Sequence, residues 1–142
     1  MNTRSRQLPP GVDMNAATAL RQYQRVDTQV QVAEASPHRL IQMLLEGAMA
    51  RLFKAKGAME HGQIELKGPL ISSAISIIGG LREALDLSQG GEVAENLASL
   101  YDYMSMRLVQ ANVHSSIETI DEVLGLLRNI KTAWDAIEPD GE

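Results

Sequence analysis

Apolar residues recur at helical spacing over about a hundred consecutive positions, from Ser36 to Ile137, and this periodicity constrains the fold more than any other feature. In an amphipathic helix, side chains at positions i, i+3, i+4 and i+7 share one face. Stretches rich in glycine and serine divide the pattern into four segments of roughly 20 residues. Four such segments with short connections predict an all-α protein, an antiparallel four-helix bundle.

Local signals predict where each helix begins and ends. Ser36 can cap the first helix and Pro37 suits its first turn. The sequence "LKGPL" predicts a turn before the second helix, and "SQGG" predicts a turn after it. Ser115 and Glu118 have the spacing of a capping box for the fourth helix, although the third and fourth could be continuous because no Gly or Pro separates them. The expected helices are 37–60, 69–87, one that starts near 92, and one that reaches 137.

The two ends of the chain differ in composition from the bundle. Residues 1–35 include "QLPPG" and hold few apolar residues, so we expect a mobile N-terminal arm there, with a possible short helix near 15–26. Residues 36–138 form the expected bundle, and 139–142 are expected to be a frayed C-terminus.

Composition argues against several classes of protein. The 142 residues fit one domain, and the absence of cysteine excludes disulfides and thiolate metal sites. A net charge of −5 argues against binding to nucleic acid, which favours a basic surface. No stretch resembles a signal peptide or approaches the ~20 apolar residues of a membrane span, so we expect a cytoplasmic protein with no membrane insertion.

The motifs that carry catalysis or hold cofactors are missing from the sequence. A metal centre in a helical bundle uses Glu-x-x-His pairs, and the sequence contains none. The three histidines, His38, His61 and His114, lie at expected helix ends and are interpreted as surface or capping residues. There is no Gly-x-Ser-x-Gly turn, and the glycine pairs neither follow a strand nor precede a GK[ST] sequence. We therefore expect neither an enzyme nor a metal or cofactor site.

The first expected helix is more apolar than packing on one core requires. Its apolar residues cover an arc of about 180°, against the ~100° of a core-facing helix. Met43 and Phe53 fall outside even that arc. Two interpretations stay open: this helix is the central one, or one flank lines a groove that receives another apolar helix.

The third expected helix also carries apolar residues on more than one face. Tyr101 and Tyr103 are two positions apart and cannot both face one core, so Tyr103, Met106 and Val109 are expected to lie outside it. Seven methionines, against one Phe and one Trp, are consistent with a surface that adapts to varied apolar partners.

Three stretches of the chain resemble the flagellar secretion chaperone family, FliS, and occur in that family's order. They are "ASPHRLIQMLLEGA", "GGEVAENLASLYDYM" followed by "LVQAN", and "EVLGLLRNIKTAW", within about 23–137. The resemblance implies an antiparallel helical bundle. It also implies that the protein binds the C-terminal segment of newly made flagellin in the cytoplasm, keeps it from polymerising and aids its delivery to the export gate.

The resemblance also suggests where partners bind. Tyr23 and Gln24 match a Tyr-Gln pair that can fold over the groove in the family, whereas Leu45-Glu46 stand where the family usually has an aromatic residue and Asp. A further partner implied is an export gate component. The sequence also leaves open a flagellar regulator or co-chaperone as partner, because one apolar groove can serve several helices, and the protein is expected to be a monomer or weak homodimer. The alternative is a structural or regulatory helical-bundle adaptor. The expected flagellin-binding residues are Leu40, Met43, Leu44, Gly47, Leu97, Leu100, Tyr101, Met104 and Leu108.

Overall fold

A computed structural model describes residues 35–137, with the exception of the side chains of 87–89. The described residues form four helices and no strand: α1 (Pro37–Glu60), α2 (Ile64–Glu83), α3 (Leu87–His114) and α4 (Ile117–Asp135). Each helix packs on two neighbours in the ring order α1, α2, α3, α4, so that α1 and α3 lie diagonally opposite. The predicted antiparallel four-helix bundle is confirmed. The expected arm, with Tyr23 and Gln24, and the expected C-terminal end at 139–142 lie outside the described residues.

Helix α1 has the predicted bounds because its end signals are local. The Ser36 hydroxyl accepts a hydrogen bond from the backbone N–H of Arg39 at 3.1 Å, as an N-cap does. At the other end, Gly62 adopts a φ of 72°, and the N–H of Gln63 donates to the carbonyl of Ala58 at 2.8 Å. This left-handed glycine with a bond back into the last turn is a Schellman ending.

The predicted bounds of α2 are wrong at both ends. The helix starts at Ile64, carries Pro69 in its interior and ends at Glu83. A proline at this point removes one backbone hydrogen bond, but Pro69 is exposed, so water can satisfy the released carbonyl. Lys67 holds the same turn by donating to the carbonyl of Asn112 at 2.8 Å and to the Ser115 hydroxyl. This contact with α3 favours helix over the expected turn.

Helix α3 begins with a short turn followed by a kink. Gly91 has non-helical angles, φ 57° and ψ −134°, and the long straight part of α3 follows from Glu92. The "SQGG" stretch, expected to end the second helix, therefore belongs to the first turn of α3, and the chain between α2 and α3 passes through Leu85 and Asp86.

The capping prediction for α4 is wrong by one residue. Ser115 has a φ of 51°, and the N–H of Ser116 donates to the carbonyl of Ala111 at 3.0 Å, which closes α3 with a Schellman-type ending. Ser116 is the N-cap, and its hydroxyl accepts from the N–H of Thr119 at 3.2 Å. The third and fourth helices are thus separate, and α4 ends at Asp135 rather than at 137.

The core runs along the bundle axis, and among the described residues it contains one buried cation, Arg51. Arg51 is 6% exposed, and it donates from Nε to the Ser73 hydroxyl at 2.7 Å and from a terminal nitrogen to the carbonyl of Gly47 at 3.0 Å. Hydrogen bonds of this kind are what allow a charged group to be buried. They join α1 to α2. The largest fully buried apolar side chains of the core include Leu45, Leu52, Ile71, Ile77, Ile78, Met104, Leu108, Ile120 and Leu127.

The two residues expected outside the apolar arc of α1 behave differently. Phe53 is 52% exposed, as expected. Met43 is only 1% exposed and belongs to a small separate cluster with Ala35 and Leu40. The start of α1 therefore buries apolar surface on a side that faces away from the main core.

One helix of the described part, α2, is long and apolar enough to cross a membrane by length and composition. Its large apolar side chains Ile71, Ile77, Ile78 and Leu81 are buried in the bundle. Packing in the core therefore accounts for part of its hydropathy, while Ile64 and Leu66 at its start are 52% and 46% exposed.

Candidate functional site

An apolar pocket of about 770 Å³ opens at the end of the bundle where α2 passes into α3. All four helices contribute to it, because the N-terminal part of α1 and the C-terminal part of α4 lie at the same end. Asp86 is the single charged residue in the described lining. The apolar lining consists of Ile41, Leu81, Ala84, Leu85, Val93, Ala94, Leu97, Tyr101, Ile130 and Trp134, with Gly90 beside them.

The kink at Gly91 shapes the mouth of this pocket. A Cβ added at Gly90 would lie 2.5 Å from the Cβ of Ala94, so the first turn of α3 can pass this close only with glycine. Beyond the kink, Val93 is 69% exposed at the mouth. Val93 shares the helical spacing of Leu97 and Tyr101, which would suit a core position, but the pocket leaves this end of α3 uncovered.

Deeper in the pocket, Tyr101 is 4% exposed and belongs to the main core. Burial raises the pKa of its phenol to about 12, because the charged phenolate loses its hydration there. The side chain is therefore neutral at physiological pH, and the pocket presents an apolar interior to a partner.

Trp134 forms one wall of the pocket and is fixed by His38. The two rings stack with centroids 5.0 Å apart and planes 14° from parallel. The His38 ring nitrogen Nε2 lies 3.0 Å from the Trp134 carbonyl, and the indole Nε1 donates to the carbonyl of His38 at 3.0 Å. Because a carbonyl oxygen only accepts, the first bond requires a proton on Nε2. His38 is thus half-buried in a contact between helices, which differs from the surface or capping role expected of it.

The end of α4 is further held against α1 by a polar network. Asp135 accepts from Lys131 at 2.7 Å and from Gln42 at 2.7 Å, and Lys131 also lies 3.5 Å from Glu46. The hydrogen bond from Lys131, aided by that from Gln42, holds the pKa of the Asp135 carboxyl below its usual value. The end of α4 that carries Trp134 is therefore held against α1 by these polar contacts as well as by the stacked rings.

Of the nine expected flagellin-binding residues, two line the pocket: Leu97 and Tyr101. Leu44, Met104 and Leu108 lie in the main core, and Leu100 packs half-buried against it. Leu40 and Met43 form the small cluster with Ala35, and Gly47 is buried with its carbonyl bonded to Arg51. Because α1 and α3 are diagonal, these residues do not form one continuous surface and meet only through the core.

The pocket contains several residues that the sequence argument did not single out. They are Ile41, Leu81, Leu85, Ile130 and Trp134, and all read as ordinary core positions in a helical pattern. The available signal was the single tryptophan of the chain, near the end of the last helix. Tryptophan is enriched where apolar surface meets a partner.

A second apolar region lies on the outer side of α3. Met106, Val109 and Val113 are 50%, 53% and 71% exposed. Tyr103 is 37% exposed, and its hydroxyl donates to Glu122 of α4 at 2.5 Å. The expectation that Tyr101 and Tyr103 face different surroundings is confirmed.

No group of three or more His, Asp and Glu side chains that could hold a metal ion occurs among the described residues. The surface that these residues offer for binding is mainly apolar.

Comparisons with known proteins find sequence relatives over the region that forms the four helices. A family model described as flagellar protein FliS matches residues 19–141. The chain is 54% identical over 124 residues to the flagellar secretion chaperone FliSB of Pseudomonas aeruginosa, which covers 87% of this chain and 98% of that protein. It is 46% identical over 127 residues to the flagellar secretion chaperone FliS of Salmonella typhimurium, which covers 89% and 94%. The FliS of Bacillus subtilis is 32% identical over 103 residues, with 72% and 76% covered.

Proposed function

Because this chain belongs to the FliS family of flagellar secretion chaperones, we propose that it binds the C-terminal segment of flagellin in the cytoplasm. In this role it prevents premature polymerisation of flagellin and aids delivery to the flagellar type III export apparatus, where a gate component would receive the complex. A regulator or co-chaperone of the flagellar system could share the same apolar surface.

The observation that carries this proposal is the apolar pocket at the α2–α3 end. Its volume of about 770 Å³ lies within the roughly 300–1,000 Å³ of sites that enclose a ligand. An amphipathic segment presents apolar side chains at helical spacing, and such side chains bind in apolar grooves between helices. Val93, largely exposed at the mouth, offers a first contact.

We assign distinct roles to the nine binding residues expected from the sequence. Leu97 and Tyr101 contact the flagellin segment inside the pocket. The half-buried Leu100 extends the contact along α3, and Leu40, in its separate cluster with Met43, provides a second contact on α1. The buried Leu44, Gly47, Met104 and Leu108 hold α1 and α3 in place behind the pocket. Tyr23 and Gln24 of the N-terminal arm compete with flagellin for the pocket.

The energetics of such binding suit a chaperone that must release its cargo. A segment that orders on binding loses conformational entropy, about 2–5 kcal/mol or more, out of its gross interaction energy. An apolar contact of this kind is therefore specific without being permanent. Transfer of the segment to the export apparatus then requires only a competing apolar surface.

The first prediction tests the pocket with two matched valines on α3. Val93 lines the pocket and Val113 does not, and they are 69% and 71% exposed. Val93→Asp places a carboxylate in the apolar contact, so we expect the Kd for a flagellin C-terminal segment to rise by at least about tenfold. Val113→Asp should leave it within about twofold, since an exposed change far from a contact has little effect. Isothermal titration calorimetry with the full chain measures both.

Equal affinities for the two variants would exclude the pocket as the binding site. If Val113→Asp alone weakened binding, flagellin would occupy the outer side of α3 instead. Circular dichroism should show unchanged helicity in both, because each substituted side chain is mostly in solvent.

A second candidate function is supported by the exposed Met106, Val109 and Val113 of α3. Such a row suits a structural or regulatory adaptor that forms a homodimer through this face. Light scattering coupled to size-exclusion chromatography distinguishes the two: a stable dimer unchanged by a flagellin segment supports the adaptor, and a monomer that forms a one-to-one complex supports the chaperone.

A further inference from the structure

The contact between His38 and Trp134 has a geometry that fixes the indole ring in one orientation. A tryptophan side chain has two rotatable bonds, and the contacts with His38 together limit rotation about both. The stacking sets the plane of the indole, and its Nε1 bond to the carbonyl of His38 sets the direction in which the ring points. The bond from His38 Nε2 to the Trp134 carbonyl fixes the imidazole itself in turn. The contact joins residues 96 positions apart.

This contact lies behind the pocket wall rather than inside the pocket. Trp134 lines the pocket together with Ile41 and Ile130, whereas His38 is not part of the lining. One face of the indole is thus occupied by the imidazole, and the rest of the ring is available to the pocket. Within the pocket, His38 therefore acts on a bound partner through the indole.

We propose that His38 is a positioning residue for partner binding, which acts by holding the Trp134 indole in place as a wall of the pocket. The occupant follows from the proposed function: apolar side chains of the flagellin C-terminal segment contact the indole. A wall that is already ordered loses no side-chain freedom when the partner binds, and this pre-organisation increases affinity. Without His38, the indole would have to be ordered at each binding event.

Four forms of the full chain test this role: the wild type, His38→Ala, His38→Gln and His61→Ala. Glutamine carries an N–H that can donate to the Trp134 carbonyl but has no ring to stack. His61 is a matched control, because its ring nitrogen contacts only the carbonyl of Gly57 within its own helix, at the other end of α1. Trp134 is the single tryptophan of the chain, so fluorescence reports on this residue alone.

Two readouts are measured on each form while circular dichroism shows it fully folded. The first is quenching of Trp134 fluorescence by acrylamide, which increases when the indole is no longer covered and held by the imidazole. The second is the Kd for a flagellin C-terminal segment. We expect His38→Ala to increase quenching and to weaken binding by about two- to tenfold, the effect of ordering one large side chain at each binding event. His38→Gln should recover part of both, and His61→Ala should match the wild type.

Unchanged affinity in His38→Ala, together with increased quenching, would overturn the positioning role and leave the proposed function intact. Unchanged quenching would overturn the claim that His38 fixes the indole. If the wild type itself fails to bind the flagellin segment, the proposed function is wrong. The positioning role is then decided with the apolar dye 1-anilinonaphthalene-8-sulfonate, whose affinity for the pocket must fall in His38→Ala and recover in His38→Gln. Equal dye affinity in all forms would overturn it.

Discussion

Tyr101 combines a place in the core with a place in the pocket, and its hydroxyl makes that position sensitive to alkaline pH. The ring belongs to the main core cluster, while one side lines the pocket near Leu97. A phenol is tolerated in such a site only in its neutral form, because ionisation would leave a charge without water. The same burial that makes the pocket apolar therefore limits the pH range in which the bundle is stable.

The second prediction concerns this residue. Burial raises the pKa of Tyr101 to about 12, whereas the unfolded chain ionises near the ordinary value of 10.0. Because the folded pKa is the higher one, the stability that it represents is fully present below pH 10 and is lost as the pH rises from 10 toward 12. A shift of this size corresponds to about 2–3 kcal/mol in the free energy of unfolding.

Urea unfolding of the wild type and of Tyr101→Phe at pH 9 and pH 11 measures the effect. The wild type should lose more stability between the two than the phenylalanine variant, which lacks the ionising group. Parallel loss in both proteins would show that other groups cause the alkaline sensitivity.

At the scale of the helix, the two adjacent serines between α3 and α4 have different roles that the sequence does not distinguish. Ser115 is the left-handed residue that ends α3, and Ser116 is the cap that starts α4. The spacing of a capping box favours Ser115, because Glu118 stands three residues later. In the structure, Ser115 adopts the left-handed conformation that ends α3, so Ser116 is the first residue that can cap α4.

The third prediction separates these roles. Ser116→Ala removes the acceptor for the Thr119 N–H and should lower the free energy of unfolding by about 1 kcal/mol. Ser115→Ala removes only an exposed contact with Lys67 and should cost about 0.5 kcal/mol or less. Chemical denaturation of both variants provides the comparison, and a larger loss from Ser115→Ala would return the capping role to Ser115.

The fourth prediction uses the same substitution at two glycines and expects opposite signs. Gly91 has a φ of 57°, which L-residues rarely adopt, so Gly91→Ala should destabilise by about 1–3 kcal/mol. Gly79 lies within α2, and a Cβ there would meet nothing within 4 Å. Gly79→Ala should therefore stabilise by about 0.5–1 kcal/mol, the usual gain of alanine over glycine in a helix. Thermal and urea unfolding check both, and stabilisation by Gly91→Ala would mean that the kink is not required.

At the scale of the whole molecule, the sequence is sufficient to predict the helical bundle, because helical periodicity depends only on the spacing of apolar residues along the chain. It was sufficient for the bounds of α1, whose cap and Schellman glycine are local too. It failed for α2 because the turn around Pro69 is held by Lys67 bonds to α3, a contact 45 residues away that no local pattern reports.

The candidate site could be predicted only in part for the same reason. Leu97 and Tyr101 could be predicted because they follow the helical spacing of apolar residues. The contact of His38 with Trp134 could not, because it forms between two helix ends that meet only in the folded bundle. The first and third helices both carry extra apolar residues, but their diagonal arrangement is set by ring order, which spacing alone does not reveal.

The stacked pair also determines how the bundle is closed. His38 stands at the beginning of the described chain and Trp134 at its end, so Ala35 and Ile137 leave the bundle close together, beside the pocket. Because the two ends of the bundle lie close together, they could be joined and the chain opened elsewhere, and circular permutation is best tolerated in such an arrangement. Its natural opening point is the turn at 61–63, at the far end of the molecule. A reporter or tether inserted there would stay clear of the pocket, whereas one attached at either end of the bundle would stand next to it.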